Sequence, residues 1–133
     1  MKEKKYRELL DKAKEAAKNH YAPYSEFVVG SAVLCENGNV YCGANIENAS
    51  YGLTNCAERT ALFNAVASGE KNIAAIAVWT ADGGVFPCGA CRQVILELAH
   101  NADVVVNGKE GDIVILSISD LLPFAYSKKD LKK

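Results

Sequence analysis

Ile73-Ala74-Ala75-Ile76-Ala77-Val78-Trp79, and further on Asp103-Val104-Val105-Val106, are two apolar stretches that set the architecture of the chain. The first is a nearly unbroken apolar run, as expected of a parallel strand covered on both faces. Between the two lies Cys88 to His100, which reads as a helix with Pro87 just before its start. Strand, helix, strand in that order predicts a crossover helix joining parallel strands.

On the N-terminal side, residues from about 3 to 20 read as an amphipathic helix, because Tyr6, Leu9, Leu10, Ala13, Ala16 and Ala17 recur at helical spacing. Tyr21-Ala22-Pro23-Tyr24-Ser25 breaks it. Phe27 to Leu34 and Val40 to Ile46 read as strands joined at Asn37-Gly38, a two-residue hairpin signal. That turn predicts Cys35 opposite Val40, so no bridge from Cys35 to Cys42 is expected. Glu47 to Asn55 reads as loop, and Cys56 to Ser68 as a second helix ended by Gly69. Ile113 to Ile118 is a further strand, Ser119 to Leu122 a short helical turn, and the tail is Lys-rich. The order predicts an α/β fold: a mixed five-stranded sheet with helices on its faces. With no repeat or linker, 1–133 is expected to be a single domain.

Half of the 133 residues are apolar and 23% are charged, with a net charge of −1. These values suit a globular chain with a real core and argue against a large basic footprint for nucleic acid or membrane. No apolar run is long enough to span a bilayer, and Met1-Lys2-Glu3-Lys4-Lys5 has no apolar signal core. The cytoplasm is the expected location. Five cysteines is an odd count. In a reducing compartment it favours metal binding or catalysis over disulfides.

Two clusters carry the chemistry, Cys56-Ala57-Glu58 and Pro87-Cys88-Gly89-Ala90-Cys91. Each falls at the start of an expected helix, where free N–H groups and the helix dipole favour anions and lower thiol pKa. Three thiolates can hold one zinc and leave its fourth position open, as a catalytic zinc requires. Glu58 is placed to handle protons on a zinc-bound water. A redox CxxC explains Cys88 and Cys91 but leaves Cys56 and Glu58 idle. A closed structural zinc lacks an evident fourth ligand among Cys35, Cys42, His20 and His100. Three thiolates also give the zinc site a net charge of −1, which weakens its acidity. Arg59 and Arg92 each directly follow a motif residue; an arginine donating to the ligand sulfurs would restore that acidity, while the plainer reading of either is a solvated helix charge.

Cys-Ala-Glu followed by Pro-Cys-x-x-Cys matches the zinc-deaminase signature with Cys in place of the first His. Tyr21-Ala22-Pro23-Tyr24-Ser25, Asn45-Ile46-Glu47-Asn48-Ala49, Asn55-Cys56-Ala57-Glu58-Arg59-Thr60-Ala61 and Pro87-Cys88-Gly89-Ala90-Cys91-Arg92-Gln93 extend the match. The chain resembles the short, homotetrameric cytidine deaminases from about residue 6 to residue 131. The resemblance implies a three-layer α-β-α sandwich, one Zn²⁺ per subunit on Cys56, Cys88 and Cys91, and Glu58 as proton shuttle. The implied reaction is hydrolytic deamination of cytidine and deoxycytidine to uridine and deoxyuridine in pyrimidine salvage, with ammonia released from C4. It also implies that Asn45 and Glu47 bond the sugar hydroxyls, that Phe27 packs on the pyrimidine, and that the backbone around Ala57 and Cys88 helps orient the base. Tyr51 matches a residue near the site and the subunit interface. Arg59 would act beside the zinc ligands.

One departure stands out. After Leu121-Leu122-Pro123 the family often carries a Phe that reaches a neighbouring subunit's site. Here Tyr126 holds that place by spacing and Phe124 is an extra aromatic, so either ring could close the pocket. The partners implied are a nucleoside and further copies of the chain, with shared active sites, rather than a polynucleotide or a membrane. The rival readings are an aminoacylnucleoside-antibiotic deaminase of the blasticidin type and a zinc-stabilised binding module without catalysis.

Overall fold

Tyr6, Leu9, Leu10, Ala13 and Ala17 fall on one side of the N-terminal segment, and their burial is what holds α1 (Lys2–Ala17) as a helix against the sheet. The computed structural model describes residues 2–131. Met1 and residues 132–133, the ends of the expected 1–133 domain, lie outside the described residues. The strands are β1 (Val29–Cys35), β2 (Val40–Ala44), β3 (Ile73–Thr80), β4 (Asp103–Asn107) and β5 (Ile113–Ser117), in the order β2-β1-β3-β4-β5. The apolar runs of β3 and β4 pair in parallel, with Ala75 opposite Asp103 and Val78 opposite Val106. Every other pair is antiparallel, so the sheet is mixed as expected.

The helices α2 (Ala57–Ala67) and α3 (Gly89–Leu98) cover the face opposite α1, with the short α4 (Ile118–Leu121) beside them. On that side Leu62 and Ile95 meet Val33, Ile76, Val78, Val104 and Val106. Each such fully buried side chain contributes about 1.5–3 kcal/mol. On the α1 side the sheet presents small residues, Ala32, Ala75 and Ala77, with Val105. The helix therefore lies close. A Cβ at Gly30 would overlap the Ala13 carbonyl oxygen. The result is the three-layer α-β-α sandwich.

Three local expectations need correction. The hairpin at Asn37-Gly38 is not a two-residue turn. Leu34 pairs with Val40, the Cys35 amide donates to the Asn39 carbonyl and the Gly38 amide to the Cys35 carbonyl. Glu36, Asn37 and Gly38 thus form a three-residue loop, with Gly38 supplying the positive φ such loops need (95°). Cys35 faces Asn39 rather than Val40; Cys42 faces Ala32, and both thiols are free. Secondly, β1 starts at Val29, not Phe27, because side chains occupy the Phe27 backbone: its amide donates to Ser25 Oγ and its carbonyl accepts from Asn45 Nδ2. Thirdly, β2 ends at Ala44, and Ile46 keeps only isolated bridges to Tyr21 and Asn55. Two elements had no signal in the sequence: a single 3-10 turn at Tyr51–Leu53 and the short helix α5 (Lys128–Leu131), neither with a buried residue.

β2 and β3 both run antiparallel to β1, so their C-terminal ends share one edge of the sheet. The chain leaves each of these ends through a loop that leads into α2 or α3. Both helix starts therefore come to the same edge, where open α/β sheets bind ligands.

Candidate active site

Cys56 and Cys88 are the N-cap residues of α2 and α3, each in an extended conformation just before the first helical turn. Cys91 sits in the first turn of α3, and its backbone amide donates to Cys88 Sγ at 3.5 Å. The Sγ atoms of Cys56 and Cys88 are 3.8 Å apart, and the three sulfurs lie within 4.8 Å of one another. With Zn–S bonds of about 2.3 Å, two sulfurs on a tetrahedral zinc stand about 3.8 Å apart. The donor set, its spacing and its position at two helix starts fit one zinc ion with a position left over. Cys35 and Cys42 take no part in the cluster.

The charge pattern agrees. A hydrogen bond from Cys91, with further ones from Arg59 and Cys88, pulls the Cys56 thiol down to about 5 against its burial. Cys91 moves the opposite way, raised chiefly by that same bond to Cys56 and by burial. Arg59 donates from Nη2 to Cys56 Sγ at 3.2 Å, as the charge argument required. Arg92 does not do this. Its Nε donates to the Pro87 carbonyl and its Nη1 to the Leu121 carbonyl, both at 2.7 Å, so it ties the start of α3 to the end of α4. Among the two arginines only Arg59 reaches a sulfur.

Glu58 lies in the first turn of α2 and is 5% exposed. Burial raises its carboxyl to about 7, and the negative charge of Cys56 adds to this while Arg59 opposes it. A carboxyl in that range exchanges protons readily near neutral pH.

These groups stand at one end of a cavity of about 230 Å³ lined by Phe27, Val29, Asn45, Glu47, Cys56, Ala57, Glu58, Val78, Thr80, Phe86 and Cys88 among others. Asn45 and Glu47 lie beyond the end of β2, and both line the cavity. Asn45 also braces β1, accepting from the Val29 amide at 3.0 Å as well as donating to Phe27. The Glu47 carboxylate accepts from the Tyr24 and Ser25 amides and from Ser25 Oγ, and these bonds hold it below the usual carboxylate range. Ser25 therefore links Glu47 to the Phe27 amide, a connection that spacing alone does not reveal. Tyr51 lies outside the cavity, 80% exposed, and lines an adjoining hollow with Tyr24, Ser25, Glu47, Asn48 and Thr54. Ser25, Glu47 and Thr54 border both spaces, so the two are continuous. Phe124 and Tyr126 are exposed and line neither. The Tyr126 carbonyl accepts from Gln93 Nε2 on α3, which fixes the tail beside that helix.

A family model described as the cytidine and deoxycytidylate deaminase zinc-binding region matches residues 3–107. The chain belongs to that family. All three cysteines and Glu58 fall within the matched residues, whereas Phe124 and Tyr126 fall beyond them. A cytidine deaminase from Halalkalibacterium halodurans is 51% identical over 126 residues, covering 92% of this chain and 95% of its own. One from Sporosarcina psychrophila is 48% identical over 125 residues, covering 92% of each. The crystal structure of cytidine deaminase from Burkholderia pseudomallei superposes with a TM-score of 0.86 at 50% identity, over 91% of this chain and 98% of that one. The deaminase family thus combines this sheet and helix arrangement with the zinc-binding cluster that the two helix starts form here.

Proposed function

We propose that this protein is a zinc-dependent cytidine deaminase that converts cytidine and deoxycytidine to uridine and deoxyuridine with release of ammonia. The observation that carries the reading is the meeting of three cysteine sulfurs and a buried, proton-exchanging carboxyl at the end of a nucleoside-sized cavity. Relatives that match nearly the whole chain at about half identity, each called cytidine deaminase, support the substrate.

Cys56, Cys88 and Cys91 would hold the zinc, which would supply the Lewis acidity that makes a water nucleophilic near neutral pH. Glu58 accepts a proton from the attacking water, delivers it to N3 of the cytosine, and assists departure of the amino group from C4 as ammonia. Arg59 offsets the negative charge of the sulfurs through Cys56. Ala57 has no exposed surface and lines the cavity beside Glu58, where its backbone helps orient the base. Phe27 packs against the pyrimidine, and Asn45 in the inner cavity and Glu47 at its boundary with the outer hollow hold the sugar. Tyr51 guards that hollow.

The chain functions as one domain and as a homotetramer, with Phe124 or Tyr126 completing a neighbouring copy's pocket. The exposure of both rings, at 107% and 59%, supports that placement. No described helix is long and apolar enough to cross a membrane. A cytoplasmic place in pyrimidine salvage suits a nucleoside substrate and free thiols. The test is Glu58→Gln alongside the wild type. The variant should keep its zinc and fold and lose turnover, while near-wild-type turnover would remove the proton shuttle from the mechanism.

A further inference from the structure

Thr80 is the last residue of β3, where an apolar run gives way to a loop. It is 1% exposed and is among the residues that line the cavity holding Glu58 and Asn45. Its backbone is engaged: the amide donates to Asn107 Oδ1 at 3.2 Å, and the carbonyl accepts from Asn107 Nδ2 at 2.8 Å. Its hydroxyl, although buried, has no hydrogen-bond partner among the described residues. Threonine hydroxyls in such places normally bond to nearby backbone, and a buried polar group left unpaired costs stability in the free protein. A valine would fill the same volume without that cost. A hydroxyl kept unpaired on a cavity wall is explained by a ligand that pairs it.

We propose that Thr80 is a substrate-recognition residue whose hydroxyl hydrogen-bonds the polar edge of the pyrimidine base. This deepens the proposed function and depends on a nucleoside occupying the cavity. The base is favoured over the sugar by position. Thr80 lines the inner cavity together with Glu58, which acts on the base, and does not border the outer hollow that Glu47 borders. A base pairing its edge with Thr80 would be rejected if that edge were apolar, because the hydroxyl would then stay buried and unpaired.

The test compares the zinc-loaded full chain with Thr80→Val and Thr80→Ser. Calorimetry gives Kd for uridine, and kinetics give KM for cytidine, 2′-deoxycytidine and 3′-deoxycytidine. Thr80→Val should raise Kd and every KM roughly tenfold, with the thermal midpoint unchanged or higher, while Thr80→Ser stays near wild type. Unchanged binding in Thr80→Val, or an equal loss in both variants, overturns the assignment. A penalty that vanishes for either deoxynucleoside moves the contact to the sugar and overturns the base reading. A wild type that binds uridine without turning over cytidine contradicts the proposed function instead, and the effect on uridine Kd still decides the role of Thr80.

Discussion

At the scale of single residues, the site works by placing opposite demands on neighbouring groups. Burial raises the Glu58 carboxyl to about 7 while a short distance away the Cys56 thiol is lowered to about 5. One group can carry a proton at neutral pH and the other is ready to bind a metal. Arg59 contributes to the second effect through its bond to Cys56. Replacing Arg59 by Ala should therefore raise the Cys56 thiol pKa in the metal-free protein, measured by ultraviolet absorbance of the thiolate during pH titration. An unchanged titration would mean that the bonds to Cys91 and Cys88 set that value without Arg59. Glu58→Gln keeps the side chain's shape and removes its proton exchange, so turnover of cytidine should fall by about 10⁴-fold with zinc content and thermal midpoint retained. The three sulfurs and Glu58 could be picked out of the sequence because their spacing puts them at helix starts. The partner of Arg92 could not, since Leu121 is brought to it only by the packing of α4 on α3. Ser25 was hidden for a similar reason: its bond to Glu47 spans 22 positions of chain.

At the scale of elements, the two sides of the sheet are tied to their helices by different means. On one side Tyr6 of α1 donates to Asp103 Oδ2 of β4 at 2.7 Å, across 97 positions of sequence. Burial, followed by this bond and the nearby carboxylate charge, raises the Tyr6 phenol to about 12. Its pKa in the unfolded chain is about 10, so the contribution is complete below that value and is lost as the pH climbs from 10 towards 12. Tyr6→Phe should lower stability at neutral pH by about 1 kcal/mol. It should also decline less steeply than the wild type in the alkaline range, as read from urea unfolding at a series of pH values. Parallel declines would remove the phenol from the account. Close approach is the other device. Gly30→Ala would drive a methyl group into the Ala13 carbonyl, and the resulting shift of α1 should cost about 3 kcal/mol, visible as a lower midpoint of thermal unfolding. Element identity was readable from periodicity, whereas element ends were not. Phe27 looks like a strand residue, but Ser25 and Asn45 claim its backbone groups first.

At the scale of the whole molecule, the sequence revealed the mixed sheet because β3 and β4 announce themselves as buried strands with a helix between them. It could not show which strand lies at the sheet's centre, since the order β2-β1-β3-β4-β5 depends on contacts between distant segments. Nor could it show that β2 and β3 point the same way, which is what brings Cys56 and Cys88 together. Exposed Phe63, Val66 and Leu53 lie on or near α2, on the molecule's outer surface with Phe124 and Tyr126. Sedimentation of micromolar protein should give a tetramer; a stable, fully active monomer would contradict a pocket shared between copies. The central claim is that this fold gathers three sulfurs and one carboxyl into a zinc-dependent deaminase. Zinc content measured alongside uridine formation from cytidine, on the same preparation, tests it most directly. About one zinc per chain is expected, with uridine formation that disappears when the metal is chelated and returns when zinc is restored. One zinc per chain with no conversion of cytidine would contradict it.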